Sequence, residues 1–110
     1  MQHSLTEKGG DLVVSLQGDV DLDSSPAVRE LLLRCVGRGA TVFVDLSNVS
    51  YIDSSGVASF VEAFQIARRN GTAFALVSVS PAARRVLELA RLDKVFTIHE
   101  SLPGGSDDGA

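Results

Sequence analysis

Residues 41–70, TVFVDLSNVSYIDSSGVASFVEAFQIARRN, place a strand, a polar connection and a helix in direct succession. Residues 41–46 (TVFVDL) are rich in β-branched and aliphatic side chains, which favour a buried strand. Residues 47–53 are polar and predict a loop. A helix then opens at Ser54-Ser55-Gly56 and ends at Asn70-Gly71, a pair that tolerates the left-handed conformation found at helix ends. Its apolar positions recur at helical spacing: Val57, Phe60, Val61 and Phe64.

Upstream of this segment, two strand patterns precede another helix. Residues 3–7 are weakly strand-like and residues 11–17 (DLVVSLQ) strongly so. Gly9-Gly10 between them predicts an antiparallel hairpin. Residues 18–23 are acidic and break the strand pattern, which indicates a loop. Ser25-Pro26 then supplies a serine N-cap and a proline in the first turn, the signals that start a helix.

Downstream, the alternation of strands and helices continues. Residues 73–79 predict a third strong strand, Ser80-Pro81 repeats the helix start, and residues 94–99 predict a last strand. The order is β-β-α-β-α-β-α-β, and helical crossovers join parallel neighbours with right-handed connections. We therefore predict an α/β fold: one domain over residues 1–100, with helices packed on a mixed, mostly parallel β-sheet. Residues 101–110 have the composition of a disordered tail.

Composition excludes several classes of function. The chain has 110 residues, of which 45% are hydrophobic and 22% charged, and this composition is typical of one soluble globular domain. A net charge of −4 argues against nucleic-acid binding, and no apolar run is long enough to insert into a bilayer. One cysteine cannot form an internal disulfide, which favours the cytoplasm. That cysteine and two distant histidines argue against structural zinc, so we expect no metal and no cofactor.

Two connections bring reactive side chains to the carboxyl ends of predicted parallel strands, where sites of open α/β sheets collect. Ser54 is interpreted either as a plain helix N-cap or as a serine that tolerates a phosphate, since helix N-termini favour negative charge. The acidic connection is interpreted as a solvated loop, a metal site or a docking surface for a cationic partner. The side chains concerned are Asp19, Asp21 and Asp23 in one connection, and Asp53, Ser54 and Ser55 in the other.

Five segments, in this order, resemble STAS domains, and most closely the small bacterial anti-sigma factor antagonists. The resemblance extends from about residue 5 to residue 100, and it implies a mixed sheet covered by helices. DSSG alone is a weak motif, but it is specific in this order and context. The segments are Gly18-Asp19-Val20-Asp21, Val44-Asp45-Leu46-Ser47, Ile52-Asp53-Ser54-Ser55-Gly56, Val79-Ser80-Pro81-Ala82 and Leu92-Asp93-Lys94-Val95-Phe96.

The resemblance implies a regulated binding protein without catalytic activity. In such proteins the unphosphorylated form binds an anti-sigma factor, itself a serine kinase, and thereby releases a sigma factor. The kinase uses ATP to phosphorylate the first serine of DSSG, here Ser54, and a metal-dependent serine/threonine phosphatase restores the binding form. We expect the partner to contact Asp19, Asp21, Asp53, Ser54, Ser55, Gly56, Val57, Ser59, Glu62 and Ile66.

Individual positions within this surface have competing interpretations. Gly56 either admits a partner backbone or packs within the helix start. Ile66 points nearly opposite the apolar stripe, so it is a candidate for the partner surface with Ser59 and Glu62. The family commonly has Gly-Leu-Gly where this chain has Gly56-Val57-Ala58. Many members also carry a further helix, whereas Pro103-Gly104-Gly105 breaks the chain here.

Three other functions agree less well with the sequence. STAS domains also occur as small cytoplasmic subunits of ABC-type lipid transporters, but those commonly have threonine where Ser54 stands. An aspartyl-phosphate receiver needs a lysine at a late strand end, and Ser80-Pro81 follows the third strong strand instead. A serine hydrolase would use a glycine two residues before its nucleophile, which DSSG lacks.

Overall fold

A computed structural model describes residues 1–102, which form five strands and three helices. Most of the predicted tail, including Pro103-Gly104-Gly105, lies outside the described residues. The elements are β1 (Gln2–Lys8), β2 (Asp11–Val20), α1 (Ser25–Val36), β3 (Val42–Ile52), α2 (Ser54–Asn70), β4 (Phe74–Val77), α3 (Pro81–Leu89) and β5 (Thr97–His99).

The strands form one sheet in the order β1-β2-β3-β4-β5. β1 and β2 are antiparallel, and the three remaining neighbour pairs are parallel. The hairpin turn holds Gly9 at φ +58° and Gly10 at φ +91°, a conformation that glycine adopts without the strain of a Cβ atom. The predicted fold class and element order are confirmed.

Side chains from all three helices share one core with the sheet. Alternate residues of β2 face the helices, and Val28, Phe60 and Leu87 of α1, α2 and α3 are completely buried against them. A smaller cluster occupies the opposite face of the sheet, and Leu102 packs against it; its members are Val13, Phe43, Ala75 and Val77. The helices therefore lie on one face of the sheet, which fixes where their N-termini emerge.

Two strands extend further than predicted. β2 continues to Val20 and β3 to Ile52, so residues 18–20 and 47–52 are not loops. Register shifts next to Gln17 and Gly18 keep the two strands paired, and Gly18 adopts φ +88° there. The polar residues of β3 point to solvent between buried apolar residues, so their polarity reflects exposure and not a loop.

Other predicted ends are also wrong. β4 stops at Val77, because Ser78 at φ +52° leaves the extended conformation. β5 begins only at Thr97, since the backbone N–H groups of Val95 and Phe96 donate to the carbonyl of Leu92 in a turn.

The start of α1 lies one residue earlier than predicted. Ser24 occupies the N-cap position, while Ser25 is buried and its hydroxyl donates to the Leu22 carbonyl. The second serine-proline start is confirmed, because the Ser80 side chain accepts a hydrogen bond from the Ala83 N–H.

Candidate functional site

The ends of β2 and β3 bring the two acidic connections together. Val20 and Ile52 are register partners in the parallel pair, and the Asp53 N–H donates to the Val20 carbonyl at 3.1 Å. The connection after β2 therefore lies beside the start of α2. This adjacency is the one expected from parallel neighbouring strands.

Asp53 is the N-cap of α2. Its Oδ1 accepts hydrogen bonds from the backbone N–H groups of Ser55 at 3.0 Å and Gly56 at 3.1 Å, and from the Ser55 hydroxyl at 2.6 Å. The Ser55 hydroxyl is the main cause of a lowered pKa at Asp53; backbone N–H groups add to this effect and desolvation opposes it. The capping role predicted for Ser54 therefore belongs to Asp53.

The cap yields a prediction for acid stability. Asp53→Ala should lower the melting temperature at neutral pH by about 5 °C, because two first-turn N–H groups lose their acceptor. Since the pKa of Asp53 is lower in the folded chain, its charge stabilises the fold above about pH 4. The share of the melting-temperature difference that comes from this charge should disappear as pH falls through the lowered pKa. Thermal unfolding of both proteins across this range checks it, and a difference independent of pH would contradict it.

Ser54 is the first residue of α2, and its side chain is exposed. Within residues 1–102 its hydroxyl makes no hydrogen bond, whereas the Ser55 hydroxyl donates to Asp53. The Ser54 oxygen is therefore accessible to another molecule and is not needed to hold the helix start.

Ser54 also lies at one end of a groove between α2 and α3. The groove has a volume of about 660 Å³, and its lining is mostly apolar. Val57 and Ala58 line it from α2, while Val86 and Leu89 line it from α3. Leu89 is 79% exposed although it is apolar, so the groove that Ser54 also lines presents an uncovered hydrophobic side chain.

The acidic connection is partly held by its own side chains. Asp21 accepts hydrogen bonds from the backbone N–H groups of Asp23 at 3.1 Å and Ser24 at 3.2 Å, so its carboxylate shapes the turn before α1. Asp19 is exposed near the end of β2 and lines a separate cavity of about 540 Å³ with these residues. Among residues 1–102, no three or more His, Cys, Asp or Glu side chains converge on a possible metal position.

Gly56 is a packing glycine. A Cβ atom there would lie 2.7 Å from Val20 Cγ1 and 2.9 Å from the Val20 carbonyl oxygen. Gly56 is also buried. It allows α2 to start close against the end of β2, and its backbone is not open to a partner.

Two other expected contact residues are less exposed than helical spacing suggested. Ser59 is 5% exposed, and its hydroxyl donates to the carbonyls of Ser55 at 3.2 Å and Ser25 at 3.4 Å. Ile66 is partly buried and packs against the main core. The expectation of an exposed Ser59 is wrong because α1 covers this part of α2, whereas Ile66 keeps part of its side chain exposed and its contact with a partner stays a prediction.

Glu62 lies at the surface but already has a partner. Arg29 of α1 donates to its two carboxylate oxygens at 2.7 and 2.8 Å. This pairing lowers the pKa of Glu62 and raises that of Arg29. Sequence analysis missed Arg29 and Leu89, because only tertiary packing brings Arg29 to Glu62 and places Leu89 in a groove with α2.

Comparison with known families agrees with this architecture. The STAS domain family model matches residues 2–104. The chain therefore belongs to the STAS domain family.

Three relatives illustrate the similarity. The anti-sigma-B factor antagonist of Bacillus subtilis is 30% identical over 86% of this chain and 87% of its own length. The anti-sigma F factor antagonist of Paenibacillus polymyxa is 25% identical over 92% of this chain and 88% of its own length. The crystal structure of an anti-sigma factor antagonist from Mycobacterium paratuberculosis has a TM-score of 0.84 and 28% identity, covering 97% of this chain and 88% of its own. None of the helices within residues 1–102 could span a membrane.

Proposed function

We propose that this chain is an anti-sigma factor antagonist and that phosphorylation of Ser54 switches off its binding. The partner is an anti-sigma factor that is also a serine kinase, and a metal-dependent serine/threonine phosphatase reverses the modification. The relatives named as antagonists of anti-sigma-B and anti-sigma F factors support the class of partner. The observation that carries the switch is the exposed Ser54 hydroxyl, which lies at the end of an apolar groove and has no hydrogen-bond partner in the part of the chain that the structure describes.

The groove supports docking of an apolar segment of the partner. Leu89 on α3 and Ala58 on α2 leave apolar surface open to solvent, and covering such surface drives association. Docking at this groove places the partner against the Ser54 side chain. Binding and phosphorylation by this one partner then take place at the same surface.

A phosphate at Ser54 fits the fold but opposes the complex. It adds about −1.5 to −2 charges at neutral pH. The first turn of α2 tolerates this charge because the helix dipole favours anions there, although Asp53 already accepts from the backbone N–H groups of Ser55 and Gly56. An apolar partner surface instead strips water from the phosphate without replacing its hydrogen bonds, which is costly. Asp53 adds a second negative charge next to it. The switch therefore acts on binding with little change in fold.

A phosphorylation assay tests the proposed acceptor. Incubation with the purified anti-sigma factor kinase of the same cell and ATP should add the mass of one phosphoryl group, which the metal-dependent phosphatase then removes. Ser54→Ala should abolish the mass gain, whereas the neighbouring control Ser55→Ala should retain it. Modification of Ser54→Ala at the wild-type rate would contradict the proposal, as would a wild-type chain that stays unmodified.

A further inference from the structure

β1 is an edge strand of the sheet, and it is exposed along its whole length. All seven of its residues, Gln2–Lys8, are exposed, and among residues 1–102 no strand pairs with its outer edge. Its register with β2 is unbroken from end to end, and it contains no proline. Proteins usually blunt an edge strand with prolines, bulges or a very short length, as for the three-residue β5 at the other end. β1 has none of these features, and its two charged residues, Glu7 and Lys8, lie next to the turn and leave residues 2–6 without a formal charge.

The hairpin turn fixes which backbone groups of β1 are free. Gly9 and Gly10 both have positive φ, as in a two-residue type I′ turn, so Lys8 and Asp11 form the hydrogen-bonded pair that closes it. Hydrogen-bonded pairs alternate along an antiparallel ladder. The N–H and C=O groups of His3, Leu5 and Glu7 therefore point away from β2.

We propose that β1 pairs antiparallel with β1 of a second copy of this chain, about a two-fold axis at Leu5. Leu5 then lies opposite the partner's Leu5, and His3 lies opposite the partner's Glu7. These are the residues whose backbone groups point outward, so the register satisfies the free groups of both edges. The interface is isologous, since one strand supplies both sides of it.

The side chains also complement each other in this register. Leu5 pairs with Val14 across the hairpin, so it stands on the helix-bearing face of the sheet, where it is 44% exposed. The two Leu5 side chains cover each other, and each Glu7 carboxylate meets a histidine. In the same chain, a guanidinium nitrogen of Arg38 lies 3.9 Å from Glu7 Oε1, and both side chains are exposed. Such an exposed ion pair is weak, so Glu7 is free to turn toward the edge.

Pairing at this edge joins two five-stranded sheets into one continuous sheet. The groove between α2 and α3 is lined by neither β1 nor α1, so it remains open in the dimer. The inference is independent of the proposed function, because it concerns a different surface.

Analytical ultracentrifugation of the full chain tests the proposal, with protein concentrations up to about 1 mM. The wild type should pass from monomer to dimer within this range. Leu5→Pro should remain monomeric, because proline removes the outward N–H and spares the hydrogen bonds to β2. Thermal unfolding of Leu5→Pro shows whether the domain remains folded.

A charge swap tests the register without altering the backbone. His3→Glu places like charges opposite each other twice and should raise the dimer Kd roughly 2- to 30-fold. His3→Glu combined with Glu7→Lys should restore dimerisation, whereas the control Gln17→Glu, which adds a negative charge on the exposed part of β2, should have little effect. A wild type that stays monomeric would overturn the proposal. A dimer unaffected by His3→Glu, or one that the double variant does not restore, would overturn it equally, even if Leu5→Pro fails to fold.

Discussion

Replacing Ser54 with aspartate is expected to weaken binding to the anti-sigma factor at least about 30-fold, equivalent to about 2 kcal/mol. The new carboxylate lies at the end of the apolar groove, where a docked partner removes its water and offers no compensating charge. The melting temperature should not fall, because the side chain at this position is exposed and an anion in the first turn of a helix is favourable.

Isothermal titration calorimetry with the purified anti-sigma factor measures this effect. Ser54→Ala should bind like the wild type, since the hydroxyl makes no hydrogen bond within the described part of the chain. Ser4→Asp, which adds the same charge to the exposed strand β1, should also bind normally. Equal affinity of wild type and Ser54→Asp would exclude Ser54 from the interface.

Leu89→Ala should weaken the same complex at least about tenfold, since a leucine side chain buried at an interface contributes on the order of 1.5–3 kcal/mol. The free chain should keep its melting temperature, because Leu89 is 79% exposed and contributes little to the core.

The matched control is Leu5→Ala, which truncates another exposed leucine, on β1 and outside the groove. It should leave the affinity for the anti-sigma factor unchanged. Equal losses in Leu89→Ala and Leu5→Ala, or no loss in Leu89→Ala, would contradict docking at the groove.

Much of the fold could be predicted because local signals and tertiary structure agree. Gly9-Gly10 specifies the hairpin, and Ser80-Pro81 starts α3 as expected. The strand ends were harder to predict. Gly18 favours a loop, yet a register shift accommodates it within β2. The polar residues of β3 likewise suggest a loop until the exposed side of the strand is known.

The candidate site was predictable in place but not in detail. The order of strands and helices is enough to bring Ser54 beside the end of β2. The sequence could not show that Asp53 rather than Ser54 caps α2, since both residue types are good N-caps and only the backbone geometry selects one. The burial of Ser59 and the pairing of Glu62 depend on α1, which helical periodicity in α2 cannot reveal.

The most direct measurement compares the unphosphorylated chain with the chain stoichiometrically phosphorylated at Ser54, titrated into the same anti-sigma factor. Tight binding by the first form and its loss in the second is the expected result, with both forms unfolding at similar temperatures. Equal affinities would show that the groove and its serine do not control the complex.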